Sequence, residues 1–227
     1  MWPGLVRIFG IQVTVFGVVM AGMFWVVSFW LWKKFKGDYE EEKIFMLSIL
    51  IALAMLLGAY SVFWLEYRTA GTSLYGGILG VAASLWMWCR INKWNFWEWA
   101  DAFGRMGMAM MAVGGLAFGP AGLVRAGVSL IAWGMVWVVS RNYRHLGWYR
   151  SGRLGFTALV SVAGFSVVEL IVAFTDLRAV YFGGLTIKQW GAVGVLTTCL
   201  VVVYLRGGRK VSEDLNDLWQ KLQKTRK

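Results

Sequence analysis

Four side chains that could do chemistry stand in or beside long apolar stretches of this sequence, where ionisable groups are rare. Glu169 lies within one stretch and Tyr75 at the start of another, and a carboxylate or a phenol can take part in proton transfer. Arg68 and Arg125 lie near the ends of two more, and a guanidinium can hold a phosphate through two parallel hydrogen bonds. These four are the candidates for phosphate binding and proton transfer.

Each candidate also has a structural explanation. A phenol is largely protonated near neutral pH and is a poor base, so interfacial anchoring explains Tyr75 better. An ionised Glu169 in the apolar interior costs about 2.5–3.5 kcal/mol on insertion scales, so it must be paired, protonated or exposed to a wet cavity. The arginines could reach lipid phosphates in general. Gly76 and Gly77 would admit either a lipid head group or a neighbouring helix, and both alternatives stay open.

The composition places most of the chain in lipid. Of its 227 residues, 59% are hydrophobic and only 15% are charged, whereas a soluble domain carries about a quarter charged residues. The net charge of +11 arises in segments between apolar runs and in the tail, which is typical of topology signals and argues against nucleic acid as a partner. Cys89 and Cys199 show no metal-ligand spacing, so the sequence predicts neither a disulfide, a metal site nor a cofactor.

The apolar runs predict an all-α, polytopic membrane protein with about seven spans. These are expected at about residues 8–32, 44–65, 72–89, 102–119, 123–140, 154–175 and 187–205. Residues 1–206 then form a transmembrane helical domain. Residues 207–227 form a basic tail in which Leu215, Leu218, Trp219 and Leu222 share one helical face, and the tail is expected to lie on the inner leaflet.

The distribution of positive charge predicts the orientation. With the N-terminus outside, most lysines and arginines fall on the cytoplasmic side together with the C-terminal tail. The outer side would hold only Arg7, Arg68, Arg125, Arg178 and Lys188. A connector rich in tryptophan (Trp94, Trp97 and Trp99) is typical of an interfacial belt, in which the indole N–H groups stay wet.

Several stretches, taken in order, resemble the prolipoprotein diacylglyceryl transferase family of bacterial inner membranes. Residues 71–80, which contain Tyr75-Gly76-Gly77, are similar to the family's histidine-glycine-glycine segment at the outer end of the third span. Residues 8–17 resemble its first span, and residues 90–101 its following loop. Gly152-Arg153-Leu154 opens a span that contains Glu169, and residues 183–189 resemble the entry to the last span.

The resemblance implies transfer of a diacylglyceryl group from phosphatidylglycerol to the cysteine thiol of a lipobox-containing prolipoprotein. It makes Tyr75 and Glu169 candidate catalytic residues, and Arg68, Gly76, Gly77 and Arg125 candidate contacts to the lipid and its phosphate. The chain departs from the family at functional positions. Tyr75 stands for the histidine, Phe16 for a tyrosine, Tyr60 for the arginine of span two, and Phe165 for the arginine one turn before the glutamate.

The family's glycine-arginine-isoleucine-glycine-asparagine motif has two possible matches here, residues 104–107 by letters and residues 119–122 by depth. Fifteen helical residues separate the two, about 22 Å, so Arg105 is expected at the opposite face from Tyr75. The outer segment between spans four and five is only a turn, where the family has a sizeable head.

These departures favour a divergent relative that binds phosphatidylglycerol-type lipid in the bacterial inner membrane with reduced or no transferase activity. An active transferase with a rearranged site is the first alternative. A small-solute transporter is the second, although no interrupted span or chain of buried charges marks a path.

Overall fold

A computed structural model describes residues 6–8, 11–13, 15–69, 71, 73–117, 122–145, 149, 152–174 and 181–208. This part of the chain forms seven α-helices and two short antiparallel hairpins. The helices are α1 (Val15–Phe35), α2 (Glu41–Tyr67), α3 (Leu74–Ile91), α4 (Phe96–Ala117), α5 (Leu123–Asn142), α6 (Phe156–Ala173) and α7 (Ile187–Arg206). The hairpins pair β1 (Val6–Ile8) with β2 (Ile11–Val13), and β3 (Tyr181–Phe182) with β4 (Leu185–Thr186). The predicted amphipathic tail beyond Gly208 lies outside the described residues.

The outer surface of the bundle is apolar. Six of the described helices are long and apolar enough to cross a bilayer, and large hydrophobic side chains face outward along them. Trp25 is 70% exposed and Leu57 is 68% exposed. Lipid removes the cost that water would impose on such a surface. The chain is therefore an all-α, multi-pass membrane protein, as the composition predicts.

Helix α4 is more polar than the six other described helices and lies at the centre of the bundle. It carries Glu98, Asp101 and Arg105 in its first half, and it packs against α1, α3, α5 and α6. A helix surrounded by other helices can hold polar side chains because protein groups replace the missing water. The position of α4 therefore explains why its sequence is less apolar than that of its neighbours.

Two predictions about element boundaries were wrong. The first helix begins at Val15 and not near residue 8, because residues 6–8 and 11–13 pair as a hairpin. The fourth helix begins at Phe96 and not near residue 102, and it takes Trp99 out of the predicted interfacial belt into the core, whereas Trp94 and Trp97 stay half-buried. Trp99 is fully buried and its ring stacks on Phe35 at 4.0 Å and on Trp94 at 5.0 Å between centroids.

The helices alternate in direction and give the bundle two ends. One end, called the basic end here, gathers the last turns of α1, α3, α5 and α7 with the first turns of α2, α4 and α6. Trp32 Nε1 donates to Glu41 Oε2 at 2.9 Å there, and Arg206 Nη2 donates to the Leu154 carbonyl at 2.6 Å. The charge distribution predicts that this end is cytoplasmic. The opposite end is called the distal end.

The buried carboxylate of Asp101 caps the start of α6 at the basic end. Asp101 of α4 accepts from the backbone N–H groups of Gly155 at 2.8 Å and Ala158 at 2.7 Å. The first N–H groups of a helix have no intrahelical partner, and a negative charge is stabilised there. Asp101 therefore caps α6 from a neighbouring helix and ties the two together.

Glycines bring α2 and α3 into backbone contact. A Cβ atom added at Gly58 would collide with the Gly76 carbonyl oxygen, and one added at Gly80 would collide with the Ala54 carbonyl oxygen. Small residues permit this approach in membranes, where van der Waals packing holds helices together. The α2–α3 contact therefore depends on the absence of side chains at these positions.

We predict that Gly80→Ala lowers the free energy of unfolding by about 1–3 kcal/mol, because the methyl group must displace the backbone of α2. Gly134→Ala is the matched control, since a Cβ at Gly134 meets nothing within 4 Å. Alanine favours helix over glycine by about 1 kcal/mol, so the control should be neutral or stabilised. Denaturant unfolding in detergent micelles measures both, and equal effects would contradict the packing explanation.

Candidate functional site

Three of the predicted site residues come together at the distal end. Tyr75 is in the first turn of α3, Arg125 is in the first turn of α5, and Glu169 is near the end of α6. Because α3 and α5 begin where α6 ends, the alternating directions bring these turns to one end of the bundle. We call these three side chains the distal cluster.

An ion pair across two helices forms the centre of the distal cluster. Arg125 Nη1 donates to Glu169 Oε1 at 2.5 Å, and Nη2 reaches Oε2 at 3.5 Å. The Glu169 side chain is 8% exposed and that of Arg125 is 30% exposed. Of the three states expected for Glu169, the structure has the paired one. The pairing satisfies a carboxylate that lipid and apolar side chains could not solvate.

The first turn of α5 is fixed against α4 by another glycine. A Cβ atom added at Gly115 would lie 2.8 Å from the backbone nitrogen of Ala126, the residue after Arg125. Close approach at this point sets the depth at which the arginine leaves the helix. The guanidinium can then span the α5–α6 contact and reach Glu169.

Tyr75 lies beside the ion pair with a hydroxyl that is enclosed by protein. Among the described residues no hydrogen-bond partner reaches this hydroxyl. Its ring faces α7, where a Cβ added at Gly191 would lie 3.7 Å from Tyr75 Cε2. The phenol lies within electrostatic range of both Arg125 and Glu169. Interfacial anchoring does not describe this position, because the hydroxyl is not exposed at the surface.

Gly76 and Gly77 follow Tyr75 but face α2. Both are buried, and a Cβ at Gly76 would collide with the Gly58 carbonyl, while one at Gly77 would lie 3.3 Å from Met55 Cγ. Helix packing accounts for both glycines. A direct contact to a lipid head group would need α2 to move.

Arg68 lies at the distal end but is not part of the distal cluster. It ends α2 in the left-handed conformation, with φ 54°. Its guanidinium lies over the Trp64 ring at 4.6 Å from the centroid, and Trp64 is an outward-facing residue. A cation on an exposed indole is suited to the membrane surface.

Sequence reasoning did not identify Ser129 as a neighbour of the cluster. It lies one turn after Arg125 on α5, is fully buried, and its hydroxyl has no partner among the described residues. A serine in an apolar helix carries no signal that separates it from a residue that bonds its own helix, as Ser161 does to the Thr157 carbonyl. The cap by Asp101 was likewise not predicted, since it depends on which helices are adjacent.

The distal cluster offers groups for an anion and a proton but none for a metal. Within the described ranges, no group of three or more His, Cys, Asp or Glu side chains could hold a metal ion. A guanidinium that is part-exposed can form hydrogen bonds to a phosphate oxygen, and a phenol can donate another. Arg105, the alternative cation, lies at the basic end, where its Nε donates to the Asp101 carbonyl at 3.4 Å.

Comparison with known proteins agrees with a distant relationship. No protein-family model matches the chain. It is 26% identical over 128 residues to the phosphatidylglycerol–prolipoprotein diacylglyceryl transferases of Legionella pneumophila strains Paris and Philadelphia 1, and 25% identical to that of strain Lens. Each alignment covers 50% of this chain and 50% of the relative, so the chain spans about half the length of the curated relatives it matches. These matches support a distant relationship to the transferases.

We predict that Arg125→Gln destabilises the protein by about 3 kcal/mol, because it leaves Glu169 buried without a counter-charge. Glu169→Gln should cost less, since the freed Arg125 is part-exposed and can turn towards head groups. The loss of stability in the double variant should be smaller than the sum of the losses in the two single variants, because both charges are then removed. Unfolding of the three variants in micelles measures this coupling.

Lys43→Gln supplies the control for that cycle, because the Lys43–Glu40 pair at 2.7 Å is exposed. Exposed pairs contribute about 0.2–1 kcal/mol, so its loss should be small. Strict additivity of Arg125→Gln and Glu169→Gln would contradict an ion pair that matters to the fold.

Proposed function

We propose that this protein is a divergent diacylglyceryl transferase-like membrane protein of the bacterial inner membrane. It binds phosphatidylglycerol-type lipid at the distal cluster and has reduced or no transferase activity. Lipobox-containing prolipoproteins are the second class of partner. The observation that carries the proposal is the pairing of Arg125 with Glu169 beside the enclosed hydroxyl of Tyr75.

The pairing argues against efficient transfer for two reasons. In the transfer reaction a thiolate sulfur bonds to the glyceryl carbon and glycerol phosphate leaves, so a positive charge must stabilise the leaving group. The charge of Arg125 is already offset by Glu169. A base must also take the thiol proton, yet both carboxylate oxygens face the guanidinium and the phenol of Tyr75 is a weak base.

Two positions at which the related family carries arginine point the same way. Phe165, one turn before Glu169, is buried and contacts α4, where a Cβ at Gly107 would lie 3.1 Å from its ring. Tyr60 is 53% exposed on the outside of α2. Neither residue brings a cation to the distal cluster, so the site lacks the positive charge that arginines at these two positions would supply.

Binding a lipid requires fewer functional groups than catalysing the transfer reaction. The part-exposed guanidinium of Arg125 can donate to a phosphodiester. The enclosed hydroxyl of Tyr75, which has no partner among the described residues, can donate only to a head group that enters the protein beside it. Arg68, at the same end over Trp64, is available to phosphates at the membrane surface. Gly76 and Gly77 would support this site indirectly, by fixing the start of α3 against α2.

An active transferase is the second candidate, favoured by the unequal exposure of the two charges. A lipid phosphate could take the guanidinium of Arg125, which is more exposed than Glu169. The released carboxylate would then accept the thiol proton while the sulfur displaces glycerol phosphate. In this mechanism Glu169 is the base and Arg125 binds the leaving group.

The decisive measurement is thioether formation on a lipobox peptide, with the full chain reconstituted in nanodiscs that contain phosphatidylglycerol. Loss of charge stabilisation at a reacting centre typically lowers rates by about 10²–10³, so we expect turnover at least about a hundredfold below that of a Legionella pneumophila transferase. Turnover comparable to that enzyme, abolished by Glu169→Gln without loss of thermal stability, would establish the second candidate instead.

Lipid binding is measured separately, as the rise in the apparent melting temperature when phosphatidylglycerol replaces phosphatidylcholine in the nanodiscs. The rise should saturate and should shrink in Tyr75→Phe, which removes only the enclosed hydroxyl. Tyr67→Phe is the matched control, because Tyr67 is an exposed residue at the end of α2. A rise that is absent in the wild type, or equal in both variants, would refute lipid binding at the distal cluster.

A further inference from the structure

A cavity lies at the basic end, at the opposite end of the bundle from the distal cluster. Its volume is about 350 Å³, within the range of about 300–1,000 Å³ that is usual for small-molecule sites. Residues of α1, α4 and α5 and the start of α6 line it. The charged lining residues are Lys34, Arg105, Arg141, Arg144, Glu98 and Asp101.

The two carboxylates of this cavity are engaged with other groups. Asp101 uses both oxygens to accept from the N–H groups that begin α6. Glu98 Oε2 accepts from the Tyr39 hydroxyl at 3.0 Å. Burial and this hydrogen bond raise the pKa of Tyr39, which lies between α1 and α2, so the phenol stays a donor. Both carboxylates keep their charge in these contacts, but among the described residues neither forms a close ion pair with a cation of the cavity.

Positive side chains outnumber negative ones around this cavity. Among the described residues, Lys34, Arg105, Arg141 and Arg144 form no ion pair within 4 Å. Four positive and two negative side chains leave the lining net positive, so an anion that enters between the cations reduces their mutual repulsion. Lys34, Arg141 and Arg144 are exposed, and solvent also screens their charge.

Aromatic rings hold two of these guanidinium groups in place. Arg141 lies 3.6 Å from the centroid of Trp137, and Arg144 Nε donates to the Tyr143 hydroxyl at 3.4 Å. Trp137 is 45% exposed on the outer surface of α5, so the cavity opens beside the lipid-facing side of the bundle. Guanidinium groups fixed in this way lose little freedom when they bind a phosphate.

We propose that this cavity binds a phosphate group, carried by an anionic lipid of the adjacent leaflet or by a soluble phosphate. The proposal is independent of the distal cluster, since it rests on Arg141, Arg144, Arg105 and Lys34 at the other end of the helices.

The test uses the full chain in phosphatidylcholine nanodiscs and two probes. One arm titrates inorganic phosphate against chloride at equal ionic strength, and the other adds phosphatidic acid to the nanodisc. The apparent affinity is followed by thermal stability. At least one probe should stabilise the wild type, and Arg141→Gln should weaken that probe about tenfold, equivalent to about 1.4 kcal/mol.

Arg90→Gln is a close control for Arg141→Gln. Arg90 also ends a helix at the basic end and lies over an exposed indole four residues earlier, at 5.3 Å from the Trp86 centroid, but it does not line the cavity. The control should keep the wild-type affinity within about twofold, as expected for an exposed charge. Arg144→Gln repeats the test if Arg141→Gln does not fold.

Each result has a defined meaning. Stabilisation by phosphatidic acid alone identifies a lipid ligand, and stabilisation by inorganic phosphate identifies a soluble one. The proposal is overturned if neither probe stabilises the wild type, or if the Arg90 and Arg141 variants weaken binding equally. None of these results bears on the distal cluster, because lipid binding there is tested separately with the Tyr75→Phe variant.

Discussion

A carboxylate inside a bundle with an apolar outer surface must find its hydrogen-bond donors within the protein. This constraint organises α6 at both of its ends. Near its start, Asp101 of α4 accepts from backbone N–H groups of α6. Near its end, Glu169 accepts from Arg125 of α5. Lipid offers neither donor, so the two charged contacts fix α6 against α4 and α5 and determine where the distal cluster lies.

The same constraint explains how one bundle can hold two polar sites of different character. At the distal cluster a cation and an anion cancel, which leaves a nearly neutral site with an enclosed hydroxyl. In the cavity of the basic end the two carboxylates accept hydrogen bonds from other groups, and four cations outnumber them. The difference arises from what each carboxylate does. Glu169 neutralises Arg125, whereas Asp101 neutralises backbone dipoles.

The sequence predicted the helices well because length and apolar character are local properties. The predicted spans agree with α2, α3, α5, α6 and α7 to within a few residues. It also predicted that Glu169 needs a partner, and it proposed Tyr75 and Arg125 as candidates at the same end. The sequence could not show which helices are neighbours in the bundle. The pairing of Arg125 with Glu169, the burial of Trp99 and the cap by Asp101 all require knowing which helices touch.

The way Asp101 is satisfied has a consequence for how the protein is made. The chain is synthesised from its N-terminus, so α4 leaves the ribosome before the amides of Gly155 and Ala158, which are 54 and 57 residues further along. Until those residues arrive, the carboxylate lacks the two backbone donors that satisfy it in the folded bundle. Asp101 reaches its final hydrogen bonds only after α6 has entered the membrane, which makes the docking of α6 on α4 a late step of assembly.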